Sequence, residues 1–399
     1  MLLENFYKSF FASIELRLSG SSWLWKVTFA SVALALFLAF PPYTLLIDHF
    51  RDGGTKLDAW VFIHNQAQDL LHPKDMDYDV RRENMIFRWT LPLLSFLTNG
   101  NILIILVIQA VLGVLFLKRI GDYIYSVCAD KALTALSILA IANTFVSVWA
   151  FADVHGYGDG LAYFFLLAAL LSRNPLVIFM SLQAAFFTDE RAVVAGGYLL
   201  LFWMVIQAYQ LNDFSFSGLL RRVFTGQSLV MWVSWAVYFA IRFYVQAEYF
   251  PNHSYSTIGT PVLFANAHRN GLGSSIWATF EGTWLIMLAA LLALWLTRRY
   301  WLIAALTIGI AVLVATGIYV HDLDRALAYG FPFVLLSFFI LHQTASVRSL
   351  RVILFFAAVV CVTHPQVFYM GYNRILWLEP LPVKVLMYLD HVFGWNFFR

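Results

Sequence analysis

The sequence predicts an all-α fold: a polytopic transmembrane helical bundle of about 11 spans, with interfacial helices in the first outer loop. Composition is the first reason. The 399 residues are 61% hydrophobic and 12% charged, against about 45–50% and about 25% in a soluble domain. The second is that apolar runs of roughly 17–25 residues recur, the length that crosses about 30 Å of hydrocarbon. The third is an aromatic share of 18%, including 14 Trp, which suits interfacial belts. A β-barrel would need short alternating strands instead. The net charge of +3 says little about partners, and no nucleic-acid partner is expected. Two cysteines, Cys128 and Cys361, make no disulfide framework.

In chain order, the first 26 residues carry Glu4, Lys8, Glu15, Arg17 and Lys26. They read as an interfacial helix, without the compact apolar core of a cleavable signal peptide. Span one runs from Trp25 to Ile47. The first extracytoplasmic loop, 48–100, follows, with amphipathic pieces at Ala59–Leu71 and Met85–Leu97. Span two is Ile102–Leu117, ended by Lys118 and Arg119, and span three is Ala132–Phe151. The runs Leu161–Leu171 and Leu176–Phe187 are short for full crossings, and read as tilted spans or a re-entrant hairpin. Later spans are expected at Ala192–Gln210, Gln227–Val245, Trp277–Leu296, Trp301–Val320, Ala326–Leu341 and Val352–Thr363. The tail, 364–399, reads as interfacial. A single integral membrane domain over 1–399 accounts for the whole chain.

With the N-terminus inside, the short inner loops hold Lys118, Arg119, Lys131, Arg173, Arg221, Arg222, Arg298, Arg299, Arg348 and Arg351, as the positive-inside rule requires. Of the 23 acidic residues, only Glu4, Glu15, Asp122, Asp130 and Asp213 fall on that side. Five polar islands then share the outer face: the first loop, Ala152–Gly160, Thr188–Arg191, Glu248–Ser275 and His321–Arg325.

Ionisable groups at span ends are costly unless solvated, paired or used. In Thr188–Arg191, Asp189, Glu190 and Arg191 sit between apolar runs with almost no loop around them. They make either a substrate site or an internal ion pair stitching helices together. His321, Asp322, Asp324 and Arg325 repeat the pattern. In the sequence ADVHGYGDG, His155 and Asp159 flank glycines that permit a tight turn. Near the end of span one, Asp52, then Asp48 and Asp58, are candidates for a general base toward a hydroxyl acceptor. Arg88, Arg191, Arg269 and Arg325 offer planar forks for a phosphate or pyrophosphate. The ten His residues show no metal-binding spacing. The outer carboxylates could hold a divalent cation, although no spacing compels one.

This layout resembles the GT-C class of membrane glycosyltransferases. Asp48 and Asp52 stand where that class has its first-loop carboxylate. Arg88 and Pro92, in FRWTLPLL, are similar to its R-x-x-x-P element. Asp322, Arg325 and Pro332, in HDLDRALAYGFP, resemble its late D-x-x-R…P element, and Thr188–Arg191 resembles its middle acidic island. The resemblance implies a polyprenyl-phosphate-linked sugar as donor, a lipid or glycan acceptor, membrane lipids as surroundings, and work on the extracytoplasmic face, with the bacterial inner membrane as the expected location. Two other readings stay open: a polysaccharide polymerase of the O-antigen or EpsG type, and a transporter or flippase. The last requires broken helices and ionisable groups near mid-membrane.

Overall fold

The structure is a computed structural model and describes residues 2–54, 57–71, 85–249, 272–320, 322–370, 374–395 and 397. Among the described residues, four helices are long and apolar enough to cross a membrane, or up to seven if each of three bent pairs counts as one span. The protein is therefore a multi-pass helical membrane protein. Fewer unbroken crossings are present than the eleven expected, because several apolar runs break where the chain carries Pro, Asn, Glu or Gly.

Helix α1 (Leu2–Arg17) precedes α2 (Trp23–Leu38). Span one does not continue to Ile47. It breaks at Ala39–Pro42, and α3 (Tyr43–Arg51) leaves at 69°, since a proline lacks the N–H that would carry the helix on. Helices α4 (Asp58–Gln68) and α5 (Thr90–Leu97) pack on each other and match the two amphipathic pieces. Next comes α6 (Ile102–Cys128), which runs past the stop expected at Lys118 and Arg119. Lys118 Nζ pairs with Asp122 at 2.7 Å one turn on, so a basic residue there supports the helix. The break comes at Ala129, in the left-handed region, followed by the N-cap Asp130.

Span three is likewise a bent pair, α7 (Lys131–Ala142) and α8 (Phe145–Ala152), with 56° between them. The two short runs become α9 (Asp159–Leu171) and α10 (Pro175–Phe186), packed together, and α11 (Arg191–Gln210) follows. Beyond α12 (Phe216–Arg222) and α13 (Gln227–Tyr249), the expected span at 277–296 is split into α14 (Leu272–Phe280) and α15 (Thr283–Leu296), bent by 89°. Helix α16 (Tyr300–Tyr319) is unbroken. The next span divides into α17 (Leu323–Ala328) and α18 (Phe331–Thr344), with Gly330 between them, and α19 (Val347–Thr363) follows.

The tail departs from the all-α expectation. Strands β1 (Val367–Met370) and β2 (Arg374–Trp377) pair antiparallel before α20 (Leu381–Phe393). Packing of α18 on α15, α19 on α7 and α9 on α10 builds one apolar core. A second, smaller core joins α3, α4 and α5 to the near end of α6 through Leu46, Trp60, Ile63, Leu91 and Ile105. This smaller core seats α3, α4 and α5 against the start of α6.

Candidate functional site

The ADVHGYGDG turn is the floor of the site. Gly156 and Gly158 have φ of +84° and +77°, a conformation that glycine adopts without steric cost. A Cβ on Gly158 would stand 2.8 Å from Leu91 of α5 and 3.2 Å from Thr188. The turn is thus pressed between the first loop and the Thr188–Arg191 island. Trp60 Nε1 donates to the Val154 carbonyl at 2.8 Å, and Thr90 N to the Phe187 carbonyl at 3.1 Å. The Trp89 and Phe187 rings stack with centroids 4.8 Å apart. These contacts hold the loop on the bundle.

Asp153 closes the turn by accepting the N–H groups of His155, Tyr157 and Gly158 at 3.2, 3.3 and 2.8 Å. Burial and the nearby Asp159 charge lift its pKa to about 6, against the pull of Arg325. Asp159, the first residue of α9, is fully buried. Its Oδ2 accepts from Arg325 Nε at 2.6 Å and Trp149 Nε1 at 3.0 Å, and its Oδ1 accepts from the Tyr329 hydroxyl at 3.1 Å.

Arg325 ties the late island into this centre. Its Nη1 donates to Asp322 at 2.6 Å, its Nη2 lies 3.8 Å from Asp189, and its guanidinium carbon stands 3.9 Å from the Tyr157 ring centroid. Nη2 is buried and makes no hydrogen bond among the described residues. Arg191 bridges Asp189 at 3.4 Å, Asp159 at 3.8 Å and Asp322 at 3.8 Å. Arg88 grips Glu190 with two hydrogen bonds, 3.0 and 2.9 Å, and reaches Asp189 at 3.2 Å. Burial pushes the Glu190 carboxyl up, but the charge and hydrogen bonds of Arg88 outweigh it and hold the pKa at about 2.

Three guanidiniums, Arg88, Arg191 and Arg325, therefore face four carboxylates, Asp159, Asp189, Glu190 and Asp322. Each of these arginines already faces a carboxylate, so a phosphate entering here would have to take the place of one. Asp159 and Asp189 are sealed off, whereas the Glu190 and Asp322 side chains keep 35% and 25% exposure. The exposed edge of the cluster's carboxylates belongs to those two.

Four of the polar islands supply residues to this cluster or its floor, the first loop through Arg88 and those carrying Asp159, Asp189–Arg191 and Asp322–Arg325, while most of the fifth lies outside the described residues. His155 lies beside it, stacked on Tyr157. Asp324 turns elsewhere: it is buried and accepts from Thr279 at 2.8 Å. Asp48 is half-buried on α3, and Asp52 is exposed as its C-cap. Asp58 opens α4, with its side chain outside the described residues. Arg269 and His321 also lie outside the described residues. Among those described, no group of three or more His, Cys, Asp or Glu is placed to hold a metal ion.

The sequence reading missed Trp149, which donates to Asp159, and Tyr163, whose hydroxyl donates to the Arg325 carbonyl at 3.3 Å, because such residues inside apolar runs carry no signal of their own. It also missed a second buried polar group. Glu281, at the break between α14 and α15 with φ of +46°, accepts from Gln366 Nε2 at 3.0 Å and lies 3.4 Å from His364 Nδ1. Gln366 also donates to the Asn143 carbonyl, at the break between α7 and α8.

The protein is thus a multi-pass helical membrane protein that carries a buried acid–base cluster. No family model, curated protein or solved structure matches the chain.

Proposed function

We propose that this protein is a membrane glycosyltransferase that moves a sugar from a polyprenyl-phosphate-linked donor to a lipid or glycan acceptor on the extracytoplasmic face. The observation that carries this reading is the meeting of Arg88, Arg191 and Arg325 with Asp159, Asp189, Glu190 and Asp322 under an amphipathic first loop. Such a cluster offers guanidinium forks for a departing phosphate and carboxylates at the water edge for an acceptor hydroxyl.

In this reading Asp322 is the general base, since it reaches water and is oriented by Arg325. Asp52 and Asp48 remain the first-loop alternatives. Glu190, ionised and clamped by Arg88, orients that arginine. The donor phosphate displaces a carboxylate from Arg88 or Arg191, the two guanidiniums nearer the surface. The prenyl chain lies in hydrocarbon between helices. Counting α9, α10, α18 and α19 as short crossings beside the seven longer or bent ones gives about eleven spans, with local bilayer thinning accommodating the short ones. A bacterial inner membrane, with the cluster outside, fits inner loops whose Arg and Lys stand with only five of the 23 acidic residues.

A transporter is the second reading, and Glu281 favours it. A buried carboxylate where two bent spans break is the arrangement that coupling-ion sites use.

The test is transfer from labelled polyprenyl-phosphate sugars in proteoliposomes, comparing wild type with Asp322→Asn, Asp52→Asn and Asp48→Asn. Loss of a general base lowers the rate by about 10²–10⁴-fold. Transfer at the wild-type rate in all three variants would exclude these bases. Movement of substrate across the bilayer without transfer would favour the transporter.

A further inference from the structure

A large cleft among the described residues lies away from the acid–base cluster. Helices α9 and α11 begin at the cluster, with Asp159 and Arg191, and end beside a cleft of about 1040 Å³. That is at the top of the roughly 300–1,000 Å³ range of small-molecule pockets. Leu167, Leu171, Val177, Phe202 and Ile206 give it an apolar wall. Its polar side carries Arg119 and Arg173, both exposed, together with Gln207 and Gln210. Asp122 also lines the cleft, but it is engaged by Lys118 at 2.7 Å. Neither Arg119 nor Arg173 makes an ion pair among the described residues. The Tyr123 hydroxyl, in the same wall, is buried and has no hydrogen-bond partner there.

We infer that this cleft is a binding site for one anionic phospholipid from the leaflet opposite the acid–base cluster. The argument is charge complementarity joined to an apolar wall. Two unpaired guanidiniums can share a phosphate, and the tyrosine hydroxyl and glutamine amides can donate to the rest of a polar headgroup. An acyl chain then covers the wall formed by α9, α10 and α11. Basic pockets between transmembrane helices recognise anionic headgroups in this manner. The inference is independent of the transferase reading, because none of these residues belongs to the acid–base cluster.

Native mass spectrometry of the full chain in detergent tests it, with phosphatidylglycerol titrated against phosphatidylcholine. The wild type is expected to retain phosphatidylglycerol preferentially, as a single tight adduct. Arg119→Gln combined with Arg173→Gln, at exposed positions that leave the fold intact, should weaken that adduct by about thirtyfold, the equivalent of about 2 kcal/mol. Arg221→Gln combined with Arg298→Gln, at the same end but outside the cleft, should leave it unchanged. Equal retention of the two lipids would overturn the assignment, as would an unchanged adduct in the cleft variant or an equal loss in the control. Displacement of the lipid by inorganic phosphate alone would also overturn it, by showing that the site takes a free anion.

Discussion

Arg325 Nε donates to Asp159 Oδ2 at 2.6 Å, joining residues 166 positions apart, both almost wholly enclosed. This pair fixes the late island to the floor of the site. Removing one partner leaves an uncompensated buried charge, which costs about 3–5 kcal/mol. Arg325→Met should therefore lower the melting temperature of the detergent-solubilised protein sharply. Adding Asp159→Leu to that variant should recover part of the loss. A strictly additive double variant would show that the pair is not the coupled unit the geometry describes.

Glu190 gives a pH dependence of known sign. Its carboxyl is held at about 2, below its ordinary 4.5, by Arg88. A depressed carboxylate stabilises the fold above its unfolded pKa, and that contribution is lost as pH falls from about 4.5 toward 2. Acid unfolding followed by tryptophan fluorescence should show this loss in the wild type. In Glu190→Gln the part assigned to this group should vanish, and the curve should be flatter over that interval.

Asp153 works in the opposite sense. Burial and the Asp159 charge raise its pKa to about 6, so the folded protein takes up a proton there before the unfolded chain does. Its contribution makes the fold more stable as pH falls from above 6 to about 4. Asp153→Asn should remove this component from the melting temperature measured between pH 4 and 7. An identical profile in the variant would assign that titration to another group.

The turn beneath the first loop predicts a steric effect. At Gly158, alanine would combine a left-handed backbone costing about 1–2 kcal/mol with a Cβ 2.8 Å from Leu91. Gly158→Ala should destabilise the fold by at least that amount and loosen α5 from the bundle. Limited proteolysis of the first loop should accelerate in the variant. Gly273, where a Cβ would meet nothing within 4 Å, is the control and should tolerate alanine.

That this is a helical membrane protein, and where its polar islands fall, is legible in the amino-acid sequence. Hydrophobic transfer acts on runs of residues, so apolar length is legible without a fold. It also pointed to Arg88, Asp159, Asp189, Glu190, Arg191, Asp322 and Arg325, because charges beside apolar runs are conspicuous. The breaks in the helices were less legible. Glu281 and Asn143 end helices through backbone geometry and buried partners far away in the chain, neither of which composition records. Which charges meet depends on how the helices pack. Asp324 and Asp322 are two residues apart, yet one accepts from Thr279 and the other joins Arg325. The short helix α17 turns them to different sides. The same packing set Asp48 and Asp52 on a helix bent away at Pro41–Pro42, while Arg88 reached Glu190 across 102 positions of sequence. Ion pairing acts over a few ångströms of space, and distance along the chain does not encode it.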